Sequence, residues 1–226
     1  MGTLYLARHG QASFGADDYD QLSPLGTQQS RRLGEYFRER EQRFGAVLTG
    51  TLKRHQQTWA GIADGMRQDV PAPGPFVTPD LNEFDAEAII RAVHPGPLRK
   101  PETAADVRAH FRLLRDGLLA WMQGRTAPSG MMAYTAFRAG VARVLDRVRA
   151  EHADDDVLIV SSGGPISTAI GLVLGTAHEA TIDLNMRMRN SAVTEFAVTP
   201  KRHTLITYNT LPHLDTPAHR AWATHA

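Results

Sequence analysis

At 226 residues, 42% hydrophobic and 22% charged, the chain has the size and balance of a globular protein with one sizeable core, and its formal net charge of +1 offers no basic surface for nucleic acid or an acidic membrane. It contains no cysteine, which excludes disulfides, thiolate nucleophiles, iron–sulfur ligands and cysteine zinc sites and fits a cytoplasmic protein. No apolar run approaches the ~20 residues that span a bilayer, and the amino terminus leads into a strand with no signal-peptide pattern, so no membrane partner is expected.

The first element is an apolar run, Leu4 to Ala7, that stops at Arg8-His9-Gly10. It predicts a buried strand that delivers a cation and an imidazole to its carboxyl end, where Gly10 turns the chain. In open α/β sheets ligands sit at that end of the strands. Arg8 offers a planar, permanently charged fork suited to phosphate oxygens. His9, with an unperturbed pKa of about 6.5, is a usable nucleophile near neutrality. The plain alternative is a structural ion pair and a loop cap. Phe14 to Gln21 reads as surface loop, and Ser23-Pro24 as a helix start that leads to an end near Gly45.

Ala46 to Thr49 is a short strand, and Gly50 turns the chain into a second helix with Leu52, Trp59, Ile62 and Met66 on one side. Arg54 falls in its first turn, beside free backbone N–H groups and the positive end of the helix dipole, a favourable anion site. An exposed arginine is the alternative. His55 reads as a packed, hydrogen-bonded histidine. Proline-rich Gln68 to Pro79 is loop or edge structure. Glu83, Asp85 and Glu87 could supply a proton donor, or form a plain acidic turn; no histidine stands at ligand spacing, which disfavours a metal.

Glu102 to Met122 predicts an amphipathic helix with Val107, Phe111, Leu114, Leu118 and Trp121 on its apolar stripe, and Met132 to His152 predicts another. The Trp and Met residues of this stretch read as core. Val157 to Val160 has the uninterrupted apolar pattern of a strand buried on both faces. Ser161-Ser162-Gly163-Gly164 leaves it, and Pro165 opens a helix. Such a turn can cradle an oxyanion on backbone N–H groups, or be merely tight. Ala192 to Val198 and Thr204 to Tyr208 predict two further strands, and the tail from Asp215 reads as polar and frayed.

Taken together, Arg8-His9-Gly10, Arg54, Glu83 and Ser162-Gly163-Gly164 resemble the histidine phosphatase superfamily, the phosphoglycerate-mutase-like proteins. The resemblance runs along nearly the whole chain and includes Leu22-Ser23-Pro24-Leu25-Gly26, an Arg-x-x-x-Thr segment at Arg54 to Thr58, and Asn190-Ser191-Ala192-Val193-Thr194. It implies an α/β fold: a three-layer α/β/α sandwich with a mostly parallel central sheet, forming one domain over residues 1–226, with a small helical or loop insertion over the site at roughly 80–130. It implies a metal-independent phosphomonoesterase without a cofactor, acting on a small phosphorylated substrate. His9 attacks phosphorus, Arg8, Arg54, Ser162 and Gly163 hold the phosphoryl oxygens, and Glu83 protonates the leaving oxygen. Phosphoryl transfer asks mainly for positioning and charge stabilisation, which two arginines can supply in place of magnesium. Apolar edge segments allow a homodimer.

One position departs from the family pattern. Where a second histidine normally precedes Gly-Gly, this chain has Ser162. Losing one such donor commonly costs ~10²–10³ in rate. Three consequences fit: a slower enzyme, a site in which His55 or His94 fills the space, or a phosphate-binding protein without turnover. The family's Gly-Glu-Ser segment is also missing near Ser129 to Met132, so a mutase that moves phosphate between hydroxyls has no recognisable substrate cage. A serine hydrolase lacks its Gly-x-Ser-x-Gly elbow, and neither a P-loop nor a dinucleotide fingerprint is present.

Overall fold

The computed structural model describes residues 1–13, 20–67, 75–94, 96–97 and 103–225. In chain order the elements are β1 (Gly2–Arg8), α1 (Pro24–Glu39), β2 (Ala46–Thr49), α2 (Lys53–Met66), β3 (Phe76–Val77), α3 (Ala86–Val93), α4 (Ala104–Met122), α5 (Tyr134–Glu151), β4 (Val157–Ser161), α6 (Gly163–Leu174), α7 (His178–Arg187), β5 (Val193–Thr199) and β6 (Arg202–Thr210). Short 3₁₀ turns stand at Pro79–Leu81 and Arg220–Trp222.

The strands form one sheet in the order β3-β2-β4-β1-β5-β6. The first four run parallel, and β5 and β6 are antiparallel additions on the far side of β1. All five residues of β4 are buried, as its unbroken apolar run requires of a strand covered on both faces. Alternation along the strands sorts the core into two layers. Leu4, Leu6, Val157 and Ile159 pack with Val141, Val144 and Val148 of α5 and Ile166 and Ile170 of α6. Ala7, Leu158 and Val160 pack with Leu33 and Phe37 of α1 and Trp59 and Ile62 of α2. Helices therefore flank a mostly parallel sheet. Among the described residues no helix is long and apolar enough to cross a membrane.

Several expectations need correction. Helix α1 ends at Glu39 rather than near Gly45, because Arg40 leaves helical geometry and Glu41 takes a left-handed φ of 54°. Helix α6 begins at Gly163, two residues before Pro165, which falls within the first turn, where its missing N–H breaks no helix bond. Only the carboxyl-terminal half of α4 enters the core: Val107 and Phe111 are 41% and 39% exposed, while Leu118 and Trp121 are buried. Met132 is 56% exposed, so it is not core. The tail is not frayed. Gln29 Nε2 donates to the Trp222 carbonyl (2.7 Å) and the Thr224 hydroxyl (2.9 Å), and Asn190 N–H donates to the Thr224 carbonyl (3.0 Å). Of the loop expected at Phe14 to Gln21, residues 14–19 lie outside the described residues, as do residues 68–74 of the proline-rich stretch expected at Gln68 to Pro79.

Candidate active site

The register of the sheet assembles the site. Arg8 of β1 stands beside Ser161 of β4, so His9 and Ser162 leave neighbouring parallel strands at the same level. His9 N–H donates to the Ser161 carbonyl (2.9 Å). On the other side of β4, Thr49 of β2 pairs with Val160, and the chain enters α2 three residues after Gly50. The Thr58 hydroxyl then ties the two loops together: it accepts from Gly10 N–H (3.1 Å) and donates to the Arg54 carbonyl (2.7 Å). That is a physical reason for the Arg-x-x-x-Thr spacing, since one helical turn separates the two residues.

His9 is buried, with Nδ1 2.7 Å from the Gly10 carbonyl. A carbonyl can only accept, so Nδ1 carries the proton and the lone pair stands on Nε2. Burial pushes the His9 pKa well below its ordinary value; Arg8, His55 and Arg54 push in the same direction, and the Gly10 carbonyl opposes them. The ring is therefore neutral at pH 7. Arg8 and Arg54 are both buried. Arg8 Nη1 donates to the Met188 carbonyl. Arg54 Nη1 lies 2.7 Å from Asp20 Oδ1, and the other Asp20 oxygen accepts Lys53 N–H (3.0 Å). Both guanidinium charges act on His9 and on Glu83.

Glu83 follows the Pro79–Leu81 turn, which Asn82 fastens to the loop before α2: Asn82 Oδ1 accepts Thr51 N–H (2.8 Å), and Nδ2 donates to the Thr51 hydroxyl (2.7 Å). Both Glu83 carboxyl oxygens lie 3.1 Å from the Gly164 nitrogen. A Cβ at Gly164 would stand 2.1 Å from Glu83 Oε1, so this close approach requires glycine. Gly163 sits between Glu83 and Asn185, with its Cβ position 3.8 Å from Glu83 Oε2 and 2.3 Å from Asn185 Oδ1. Burial raises the Glu83 pKa, against the pull of the Gly164 N–H, Arg54, Arg8 and the Phe84 N–H. The three acids of this stretch part company. Asp85 caps α3 by accepting from Glu87 N–H (2.9 Å) and Ala88 N–H (3.0 Å), and Glu87 pairs with Arg91. At the start of α6 the Gly164 amide is taken by Glu83, and Pro165 has no N–H to offer.

Ser162 is fully buried, and its hydroxyl lies 2.7 Å from His55 Nε2. The His55 ring centroid is 5.8 Å from that of His9. Of the two histidines expected as stand-ins, His55 therefore occupies the space beside Ser162, while His94 is exposed at the end of α3. Asp20, Asn82 and Thr58 also belong to this neighbourhood. Thr58 was marked by its spacing from Arg54; Asp20 and Asn82 carry no local pattern and come into place only through the fold.

The family model described as histidine phosphatase superfamily (branch 1) matches residues 4–211. None of the curated proteins compared matches the chain. Among solved structures the chain is similar to a phosphoserine phosphatase mutant from Entamoeba histolytica in complex with phosphoserine, with a TM-score of 0.65, 18% identity, and coverage of 95% of this chain and 100% of that one. It is similar to a mycobacterial glucosyl-3-phosphoglycerate phosphatase (TM-score 0.64, 19% identity, 93% and 99% covered). It is similar also to the α-ribazole phosphatase from Shigella flexneri (TM-score 0.64, 20% identity, 92% and 96% covered). At these identities the likeness establishes the fold alone; the family follows from the model match, which spans most of the sequence, and the chain belongs to the histidine phosphatase superfamily.

Proposed function

We propose that the protein is a metal-independent phosphomonoesterase that works through a phosphohistidine at His9, on a small phosphorylated substrate. The observation that carries this reading is the His9 ring itself: Nδ1 is fixed to the Gly10 carbonyl at 2.7 Å, and burial beside two arginines keeps the ring neutral with its lone pair on Nε2. In the first step Nε2 forms a bond to phosphorus as the ester P–O bond breaks. The leaving oxygen takes the proton of Glu83, a carboxyl whose raised pKa favours the protonated form such a step needs. In the second step water attacks phosphorus and gives its proton to Glu83, the N–P bond breaks, and phosphate leaves a neutral His9. Arg8 and Arg54 hold the phosphoryl oxygens throughout, supplying the charge stabilisation that phosphoryl transfer requires. The Pro79–Leu81 turn, fastened to Thr51 by Asn82, brings Glu83 to the site. Turnover of a generic aryl phosphate in the presence of chelator tests the reading; full activity in His9→Ala would refute it.

A phosphate-binding protein without turnover is the second reading, and one position favours it: Ser162, a neutral hydroxyl where the family pattern has a second histidine. Tight vanadate binding with no hydrolysis across a broad phosphate-ester panel would support that reading, and His9-dependent turnover would end it.

A further inference from the structure

We propose that His55 is a positioning residue that holds the Ser162 hydroxyl by donating to it from Nε2, so that the serine proton is presented to the phosphoryl group at His9; this rests on the phosphohydrolase reading above.

The start of α6 explains why the hydroxyl is available. Ser162 is the N-cap residue, and a serine there ordinarily accepts from the backbone N–H two or three positions on. Here the second position is Gly164, whose N–H meets the Glu83 carboxyl, and the third is Pro165, which has none. Ser162 accordingly makes no capping bond. Its hydroxyl turns instead to His55 Nε2 at 2.7 Å, and both side chains are fully buried.

The direction of that bond follows from the far side of the ring. Among the described residues His55 Nδ1 is buried with no hydrogen-bond partner, and it presses against Gly50, where a Cβ would stand only 2.2 Å away. Burial, reinforced by Arg54, lowers the His55 pKa to about 3, so the ring is neutral and carries one proton. A proton on Nδ1 would leave a bare N–H in the interior, which folded proteins avoid more strictly than a bare acceptor. The proton therefore sits on Nε2 and is donated to Ser162 Oγ. The oxygen accepts, and the serine's own proton is left for an acceptor outside the pair. With the opposite tautomer the serine proton would be bound to the imidazole and lost to the substrate. Where the family has an imidazole beside the nucleophile, this chain reaches from a neighbouring element with a neutral two-residue relay.

Because His55 acts through Ser162, the two substitutions must not multiply. Ser162→Ala and His55→Leu are each expected to lower kcat by about a hundred- to a thousandfold, as for removal of one oxyanion donor. The double variant should be no worse than the weaker single variant, within about twofold. His55→Gln, whose amide N–H can reach the position of Nε2, should recover most of the activity that His55→Leu loses, which a purely space-filling histidine would not explain. Orthovanadate affinity, read on the same panel, should show the same non-multiplying losses. Multiplying losses in kcat and vanadate affinity, failure of His55→Gln to recover activity, or a His55→Leu protein that loses thermal stability but keeps kcat would overturn the proposal. If His55→Leu does not fold, His55→Gln serves in its place: whatever small loss it causes must vanish in the Ser162→Ala background. Coupled vanadate binding without His9-dependent turnover would sink the phosphatase reading and leave the pair's role intact. His9-dependent turnover with independent losses would do the reverse, and a chain with neither turnover nor vanadate binding loses both.

Discussion

Two buried Ser–His pairs flank the end of β1, and they differ in what surrounds them. Ser162 and His55 meet at 2.7 Å, beside the His9 ring and the Glu83–Gly164 contact. Ser191 and His213 meet at 2.9 Å on the side of β5, where Ser191 N–H donates to the His9 backbone carbonyl (3.1 Å). In each pair Nδ1 of the histidine has no partner among the described residues, and in each burial lowers the pKa to about 3. The second pair packs toward Arg32, whose Nε donates to the His213 carbonyl at 3.1 Å, and toward the tethered tail rather than toward the His9 ring. The lesson is that a buried Ser–His contact with a depressed pKa is not by itself a sign of chemistry; its neighbours decide.

The largest expected effect lies at the residue that both pairs flank. His9→Ala should lower turnover of an aryl phosphate by at least about 10³-fold, with the fold intact by circular dichroism. Glu83→Gln comes next: a loss of about 10²–10³ in turnover of an alkyl phosphate, and much less in the rate at which an aryl phosphate, whose leaving group needs little proton help, first phosphorylates the enzyme. The same substitution should remove the basic limb of the pH–rate profile, because the raised Glu83 pKa sets where the acid is lost. The acid limb should lie below pH 6.5, because His9 protonates only below its ordinary range.

His213→Leu separates the two pairs. It should lower stability by about 1–3 kcal/mol in denaturant melts, through the unpaired Ser191 hydroxyl it leaves, while kcat stays within about twofold. A kcat loss there as large as that of His55→Leu would erase the distinction. The pairs behave alike in one respect. Both histidines stay neutral in the folded state and take up a proton at about 6.5 when unfolded, so the unfolded state binds more protons as pH falls from 6.5 toward 3. Stability is full above 6.5 and is lost below it, by up to about 1.4 kcal/mol per pH unit for each histidine. Thermal melts between pH 7 and pH 4 check this, and His213→Leu should flatten the slope. The smallest effect is expected at Asp20. Asp20→Asn weakens the competitor for Arg54 and should lower KM for an anionic ester a few-fold, with kcat nearly unchanged.

The sheet and the place of His9 at its carboxyl edge were legible in the sequence because each is a local pattern. Val157 to Val160 could be read as a doubly buried strand, and Arg8-His9 as residues at the mouth of another. Arg54 and Glu83 were legible through the family resemblance, and their convergence depends on register. The pairing of His55 with Ser162 was open, since His55 and His94 served equally until the order β2-β4-β1 set α2 beside the start of α6. Two misreadings have one cause, that periodicity does not say what covers a surface. Val107 and Phe111 keep helical spacing yet stay exposed, whereas the polar tail is held by Gln29 and Asn190 through bonds no composition signals.

The central claim is that phosphorus is transferred to His9 Nε2. Phosphohistidine survives alkali and not acid, so the direct measurement is mass spectrometry of the protein quenched into base during turnover of an aryl phosphate. The account predicts a phosphate on the His9 peptide that disappears once the substrate is exhausted and is missing from His9→Ala. Steady turnover with that peptide unmodified at every time point would contradict it.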